Sequence, residues 1–216
     1  MAWALQQSTL VVPVAASTEA EMAAFFAKVG VSREQVRYAI QLDWSSKELT
    51  AGDCKVIAHL IAAKFMPVLT ELNLADNRID VEGSKAIAEA LKVNPVLTNL
   101  NLFDNSIGPE GAIAIAEALK VNAVLTNLDL RRNDIGDEGA KAIAEALKVN
   151  PVLTNLQLDS NDIGDDGAKA IAEALKVNPV LTKLNLRYNN MGDAGEKVVR
   201  EAVKDRSGFE LMLPWK

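Results

Sequence analysis

The sequence predicts an α/β solenoid, with a parallel sheet lining the inside of an arc, a row of helices outside it and a helical cap at the N-terminal end. Three observations predict it. From Leu69 onward one 28-residue unit is written five times, at 69–96, 97–124, 125–152, 153–180 and 181–208, beginning LTELNLADNRIDVEGSKAIAEALKVNPV. Self-similarity at such a period marks stacked units, each covering its neighbour's apolar face. Every unit opens on Leu-Thr-x-Leu-x-Leu, the period-2 alternation of a half-buried strand. Each then carries a segment such as AKAIAEALK, whose apolar residues recur at helical spacing. One strand and one helix per unit, joined by short loops, force consecutive strands to run parallel. Adjacent strands want a spacing of about 4.8 Å and packed helices about 8–10 Å, so the sheet becomes the concave wall.

In chain order, MAWALQQSTLVVPVAA at 1–16 has the apolar stretch of a secretory leader, but no Lys or Arg precedes it and Pro13 interrupts it. It reads as a tail, or as a strand on the first sheet edge. Thr18–Glu21 and Ser32–Gln35 have capping-box spacing and open helices over 18–29 and 32–39, which would cover that edge. Residues 1–38 are therefore tail and cap. A degenerate unit follows at 39–68, with Leu42, Trp44 and Leu49 at core positions, Lys47 in place of the turn asparagine and Asp53 in place of the second glycine. Terminal units of a solenoid are expected to depart from the pattern. Six repeats thus fill 39–208. Phe209–Leu213 reads as a closing strand with Leu211 and Leu213 facing in, ahead of Pro214, and 209–216 form the C-terminal cap.

Within a repeat, Leu128 and Leu130 point inward while Asn127 and Asp129 point outward. Asn77, Asn105, Asn133, Asn161 and Asn189 stand at the ninth position, where a side chain with donor and acceptor can satisfy loop backbone, and stacked copies would form a ladder. Gly108, Gly136, Gly164 and Gly192 follow three positions later, suiting a positive φ or a close backbone approach, with Asp80 in the first full unit. Asp137 and Asp165 read as helix N-caps, with Glu138 or Asp166 in the first turn. Ala142, Ile143, Ala146 and Leu147 form the buried stripe, Lys141 and Glu145 lie four apart on the opposite side, and Asn150-Pro151 stops the helix.

The unit LTNLDLRRNDIGDEGAKAIAEALKVNPV resembles leucine-rich repeats of the ribonuclease-inhibitor type, a class that includes the repeat domains of nucleotide-binding immune receptors and Ran GTPase-activating proteins. The resemblance covers about 39–213 and implies a horseshoe fragment used for protein binding. Ribonuclease inhibitors are rich in cysteine and alternate two repeat types, whereas this chain has one cysteine and a single type.

A net charge of −6 and a pI near 5.0 argue against nucleic acid and favour a cationic partner. No apolar run approaches the roughly 20 residues a membrane helix needs. Cys54 is the only cysteine and no Asn-x-Ser/Thr acceptor occurs, which points to the cytoplasm. His59, the only histidine, aligns with Glu145 on the outer helix face, so metal sites and histidine-dependent triads lose support. Cys54 reads as a buried, inert thiol. DSNDIGDDG at 159–167 fails the calcium-loop template, because Ile163 and Ala170 stand where oxygen ligands are required. No phosphate-cradling glycine run exists. The expectation is a chain without enzymatic activity, cofactor or metal.

The copies are controls for one another. AIAEALKVN is unchanged in four units and the strand leucines never vary, while differences gather at the outward fifth position and at positions seven and eight. The residues assigned to the concave face are Asp43, Glu71, Asp76, Asn101, Phe103, Asp104, Asp129, Arg131, Arg132, Gln157, Asp159, Lys183, Asn185, Arg187 and Tyr188. Phe103, Tyr188, Arg131 and Arg132 are candidate anchors, since aromatics and Arg dominate binding hot spots. Asp43, Glu71, Asp76 and Asp104 make the early half acidic; Arg131, Arg132, Lys183 and Arg187 make the later half basic, partly offset by Asp129 and Asp159. The leading reading is a monomeric module that binds a protein or peptide on this face. A regulator of a ribonuclease or a small GTPase, and an engineered or recently duplicated scaffold with no evolved ligand, are the alternatives.

Overall fold

The computed structural model describes residues 17–213. The predicted tail at 1–16 and Pro214 lie outside them. Seven strands form one parallel sheet in chain order: β1 Gln41–Asp43, β2 Glu71–Asn73, β3 Asn99–Asn101, β4 Asn127–Asp129, β5 Asn155–Gln157, β6 Lys183–Asn185 and β7 Glu210–Met212. Leu42, Leu72, Leu100, Leu128, Leu156, Leu184 and Leu211 stand in one row across the register. A helix follows each of the first six strands: α3 Ala51–Ala62, α4 Val81–Val93, α5 Gly108–Leu119, α6 Gly136–Leu147, α7 Asp165–Val177 and α8 Asp193–Val203. Each of these helices packs on the next one along the chain, giving the open arc of a solenoid.

Ahead of them lie α1 Glu19–Val29 and α2 Arg33–Arg37, each opened by the predicted capping box. Phe25 of α1 meets Trp44 edge-to-face at 5.0 Å, and both are buried, so α1 covers the apolar face that the first repeat would leave exposed. Lys28 of α1 also reaches Asp53 at 2.7 Å. The degenerate unit is thus tied to the cap through the residues that break its pattern.

Stacked asparagines join the repeats, as expected at the ninth position. Asn105 donates from Nδ2 to the Leu74 and Leu102 carbonyls, and its Oδ1 accepts from Ile79 N at 3.0 Å. Asn77, Asn161 and Asn189 likewise donate to and accept from the preceding unit. A second ladder, not anticipated, runs behind the helices. Asn122, Asn150 and Asn178 donate to the Leu91, Leu119 and Leu147 carbonyls at 2.6–2.7 Å, closing helix ends that would otherwise be buried and unpaired. Its signal was present in AIAEALKVN: Asn122 is kept although the following Pro becomes Ala123.

Several local expectations need correction. Asp137 and Asp165 do not cap their own helices. Asp137 Oδ1 accepts from Gly164 N and Gly167 N at 2.8 and 2.9 Å, and Asp165 Oδ1 from Gly192 N and Gly195 N, so each caps the helix of the next repeat. Asp80, by contrast, does cap its own helix, through Gly83 N. This arrangement decides the glycine conformation too. Gly108 and Gly136 have φ of +64° and +62°, as anticipated, but Gly164 and Gly192 are extended at −92° and −83°. NDIGD occurs at both 133–137 and 161–165, so local sequence cannot be the cause; the residue one repeat earlier is Pro109 in the first case and Asp137 in the second. Lys141 pairs with Glu138 at 2.7 Å rather than with Glu145, which takes Lys148. Ala142 is half-buried, and the fully buried alanines are Ala140, Ala144 and Ala146. His59 is half-buried rather than solvated.

Candidate functional site

The outward side chains of the strands line a shallow concavity of about 590 Å³. Asp43, Glu71, Asn101, Asp129 and Gln157 lie on its floor, together with Asn73, Asn99, Asn127 and Asn155, which were not among the residues assigned to this face. Period-2 geometry carries that signal, because the third and fifth residues of a repeat share one face of the sheet. The floor is therefore a lawn of carboxamides and carboxylates.

The fifth position has a local duty as well. Oδ1 of Asp43, Asn73, Asn101, Asp129 and Asn185 each accepts the backbone N–H two residues on, at 2.9–3.1 Å. These are Asx turns, which explain why Asn or Asp recurs there without any partner. Gln157 is the exception; its longer side chain turns to Asn155 instead. Asn185 is buried, with Nδ2 on Asp159, so its carboxamide is spent inside the protein.

Positions seven and eight form the rim. Every eighth-position residue is left-handed, with φ between 52° and 57°: Ser46, Asp76, Asp104, Arg132, Ser160 and Tyr188. Asp tolerates that region; Arg and Tyr are ill suited to it. Tyr188 is nevertheless 70% exposed. Phe103 lies beneath two guanidiniums, with Arg131 at 4.9 Å and Arg132 at 5.8 Å from the ring centre. Arg131 forks onto Asp129 with contacts of 2.6–2.9 Å, and Arg132 reaches Asp104 at 3.0 Å. The Asp129 carboxylate strengthens the hold of Arg131 on its proton. Burial pushes the Asp159 carboxyl above the usual range, even with Arg131 at 3.8 Å. Hydrogen bonds from Ser45 hold Asp43 below it.

These pairs revise the expected charge segregation. Arg131, Arg132 and Lys183 are each matched by a carboxylate, Lys183 by Glu210 at 3.0 Å, so the later half is largely neutralised. Among the described residues Asp43 and Asp76 accept hydrogen bonds from Ser45, Asn73 and Ser46, neither they nor Glu71 makes an ion pair, and the early half remains acidic. Arg187 and Tyr188 stand at the last loop of the rim. Cys54, in the first turn of α3, is buried, with its thiol pushed up to about 12 by burial and then by Asp53 and Asp80.

A leucine-rich repeat family model matches residues 65–88, 93–116, 121–144, 149–172 and 177–196. The chain belongs to the leucine-rich repeat family. Among solved structures it is similar to leiomodin-1 actin-binding site 2, with 33% identity, a TM-score of 0.45, and coverage of 50% of this chain and 64% of that one. It is also similar to an internalin, inlF, from Listeria monocytogenes, with 14% identity, a TM-score of 0.36, and coverage of 90% and 75%. The repeat chain thus spans less than two thirds of the leiomodin structure's length. No curated protein matches it.

Proposed function

We infer that this leucine-rich repeat chain is a non-catalytic protein-interaction module that binds a protein or peptide on its concave face. One observation carries the reading: Arg132 and Tyr188 occupy left-handed rim positions where other copies place Asp or Ser, and Tyr188 does so while 70% exposed. A bulky residue in that region costs on the order of 1–2 kcal/mol. Backbone strain of this kind collects at functional sites. Phe103, half-buried under Arg131 and Arg132, adds a rigid aromatic plate beside them.

The acidic early half, with Asp43, Glu71 and Asp76, favours a partner segment carrying Lys or Arg there, and weighs against nucleic acid. The remaining assignments on the face, Asn101, Asp104, Asp129, Gln157, Asp159, Lys183, Asn185 and Arg187, act mainly by shaping and bracing the wall. The organisation we infer is a tail and helical cap at 1–38, six repeats at 39–208 and a capping strand and tail at 209–216, acting as a cytoplasmic monomer of the ribonuclease-inhibitor-like type. Affinity capture from the source cell provides the test, comparing wild type with Phe103→Ala and Tyr188→Ala. Loss of the captured partner by both variants, with circular dichroism unchanged, is the expected result. Undiminished capture by both would sink the concave-face reading.

A further inference from the structure

At the C-terminal end of the helix row the second asparagine ladder ends on a different residue. Asn94, Asn122, Asn150 and Asn178 are followed, at the same position of the last repeat, by Arg206, and the proline that follows three of them becomes Ser207. Arg206 does what the asparagines do for the preceding helix, donating from Nη1 to the Leu175 carbonyl at 3.3 Å, and it also donates from Nη2 to the Leu181 carbonyl. An asparagine suffices for that carbonyl in three earlier repeats. The guanidinium therefore brings something the ladder does not need: a positive charge and three further N–H donors.

That charge has no carboxylate within ion-pair distance among the described residues. Both carbonyls it donates to are neutral, and its guanidinium carbon lies 4.5 Å from the ring centre of Phe209. Burial alone weakens its hold on the proton. Arg206 lines a cavity of about 460 Å³ together with the apolar Val177, Pro179 and Phe209 and the polar Lys176, Asn178 and Ser207; the Lys176 ammonium is already held by Glu173 at 2.6 Å. A carboxylate is the planar anion that matches a guanidinium edge, and the apolar wall favours a short aliphatic group attached to it.

We propose that the cavity at the C-terminal end of the helix row is a carboxylate-binding site, with Arg206 as the anion-binding residue and the Val177, Pro179 and Phe209 wall receiving a short aliphatic substituent. Two sources share this chemistry: a free short-chain carboxylic acid, and the C-terminal residue of a peptide ending in Val or Ala. The site lies away from the concave face, so its test is independent of the proposed protein-binding surface.

The experiment titrates the full chain with isovalerate, with acetyl-Gly-Ala-Val bearing a free carboxylate, with the same peptide amidated, and with inorganic phosphate at matched ionic strength. Calorimetry and the Arg206 Nε–Hε NMR signal report binding. Arg206→Asn restores the residue of four other copies and is expected to fold; Arg206→Lys keeps the charge but loses the fork. The expected result is binding of the free-carboxylate probes, with an Nε–Hε shift, about tenfold or greater weakening in both variants, and no binding of the amide. Binding of isovalerate but not the peptide identifies a small-molecule site, and the reverse preference a peptide C-terminus. Equal binding of acid and amide, equal binding of phosphate, an unaltered affinity in both variants, or no binding at millimolar probe each overturns the proposal.

Discussion

Replacing Asp137 with Ala should destabilise the repeat after the one that carries it. Asp137 Oδ1 accepts from Gly164 N at 2.8 Å and Gly167 N at 2.9 Å, the N-cap and third-residue donors of α7. Loss of an N-cap acceptor typically costs about 0.5–2 kcal/mol. Both bonds go to a carboxylate and are part-buried, which places the expected loss in the upper half of that range, about 1–2 kcal/mol. The variant should also release Gly164 from its extended conformation at −92° toward the left-handed turn that Gly136, preceded by Pro109, adopts at +62°. Urea unfolding measures the magnitude, and native-state amide exchange gives the location: protection should fall at Gly164 and Gly167, not in the first turn of α6. Glu138→Ala is the control, since that side chain is 72% exposed and serves only Lys141. Exchange that rises in α6 and stays unchanged in α7 would refute capping across the repeat boundary.

Three further outcomes follow from the same geometry. Gly139→Ala should destabilise by about 1–3 kcal/mol in thermal or urea unfolding, because the added Cβ would stand 2.4 Å from Ile135 Cγ2 and 2.9 Å from Ala112 Cβ. Gln157→Asn should stabilise by about 0.5–1 kcal/mol in the same assay, by supplying the Asx turn present in the equivalent positions of its neighbours. The native Cys54 thiol holds its proton to about 12, whereas an unfolded chain releases it near about 8.5. Its contribution to stability is therefore complete below about pH 8.5 and is lost as pH rises from there toward 12, so Cys54→Ala should flatten that part of the stability–pH curve. Native protein should resist iodoacetamide at pH 8; alkylation at the rate of a free thiol would contradict the assigned burial.

The repeat made the fold legible because each leucine, asparagine and alanine is printed several times, and a solenoid needs only neighbour contacts to propagate. Capping boxes at Thr18 and Ser32 were readable for a related reason: all their partners lie within three residues. What escaped was whatever depends on the next repeat. Asp137 looks like an N-cap for the helix it begins, yet stacking brings it over Gly164, some 27 residues on. The concave site was half legible. Alternation placed Asp129 and Gln157 on the open face, but variability alone could not separate Asx-turn residues such as Asn101 from rim residues such as Tyr188. Nor could it show that Arg131 and Arg132 are already held by Asp129 and Asp104, which changes them from free positive charges into braces over Phe103.

The central claim is that recognition belongs to the concave wall and its rim. Footprinting the captured complex by hydroxyl-radical labelling measures this directly, since the rim aromatics and the exposed valines at the C-terminal ends of the helices serve as paired reporters. Protection of Phe103 and Tyr188, with the outward Val121, Val149 and Val177 labelled as in the free chain, is the predicted result. Protection of the valines with unchanged labelling of Phe103 and Tyr188 would contradict it.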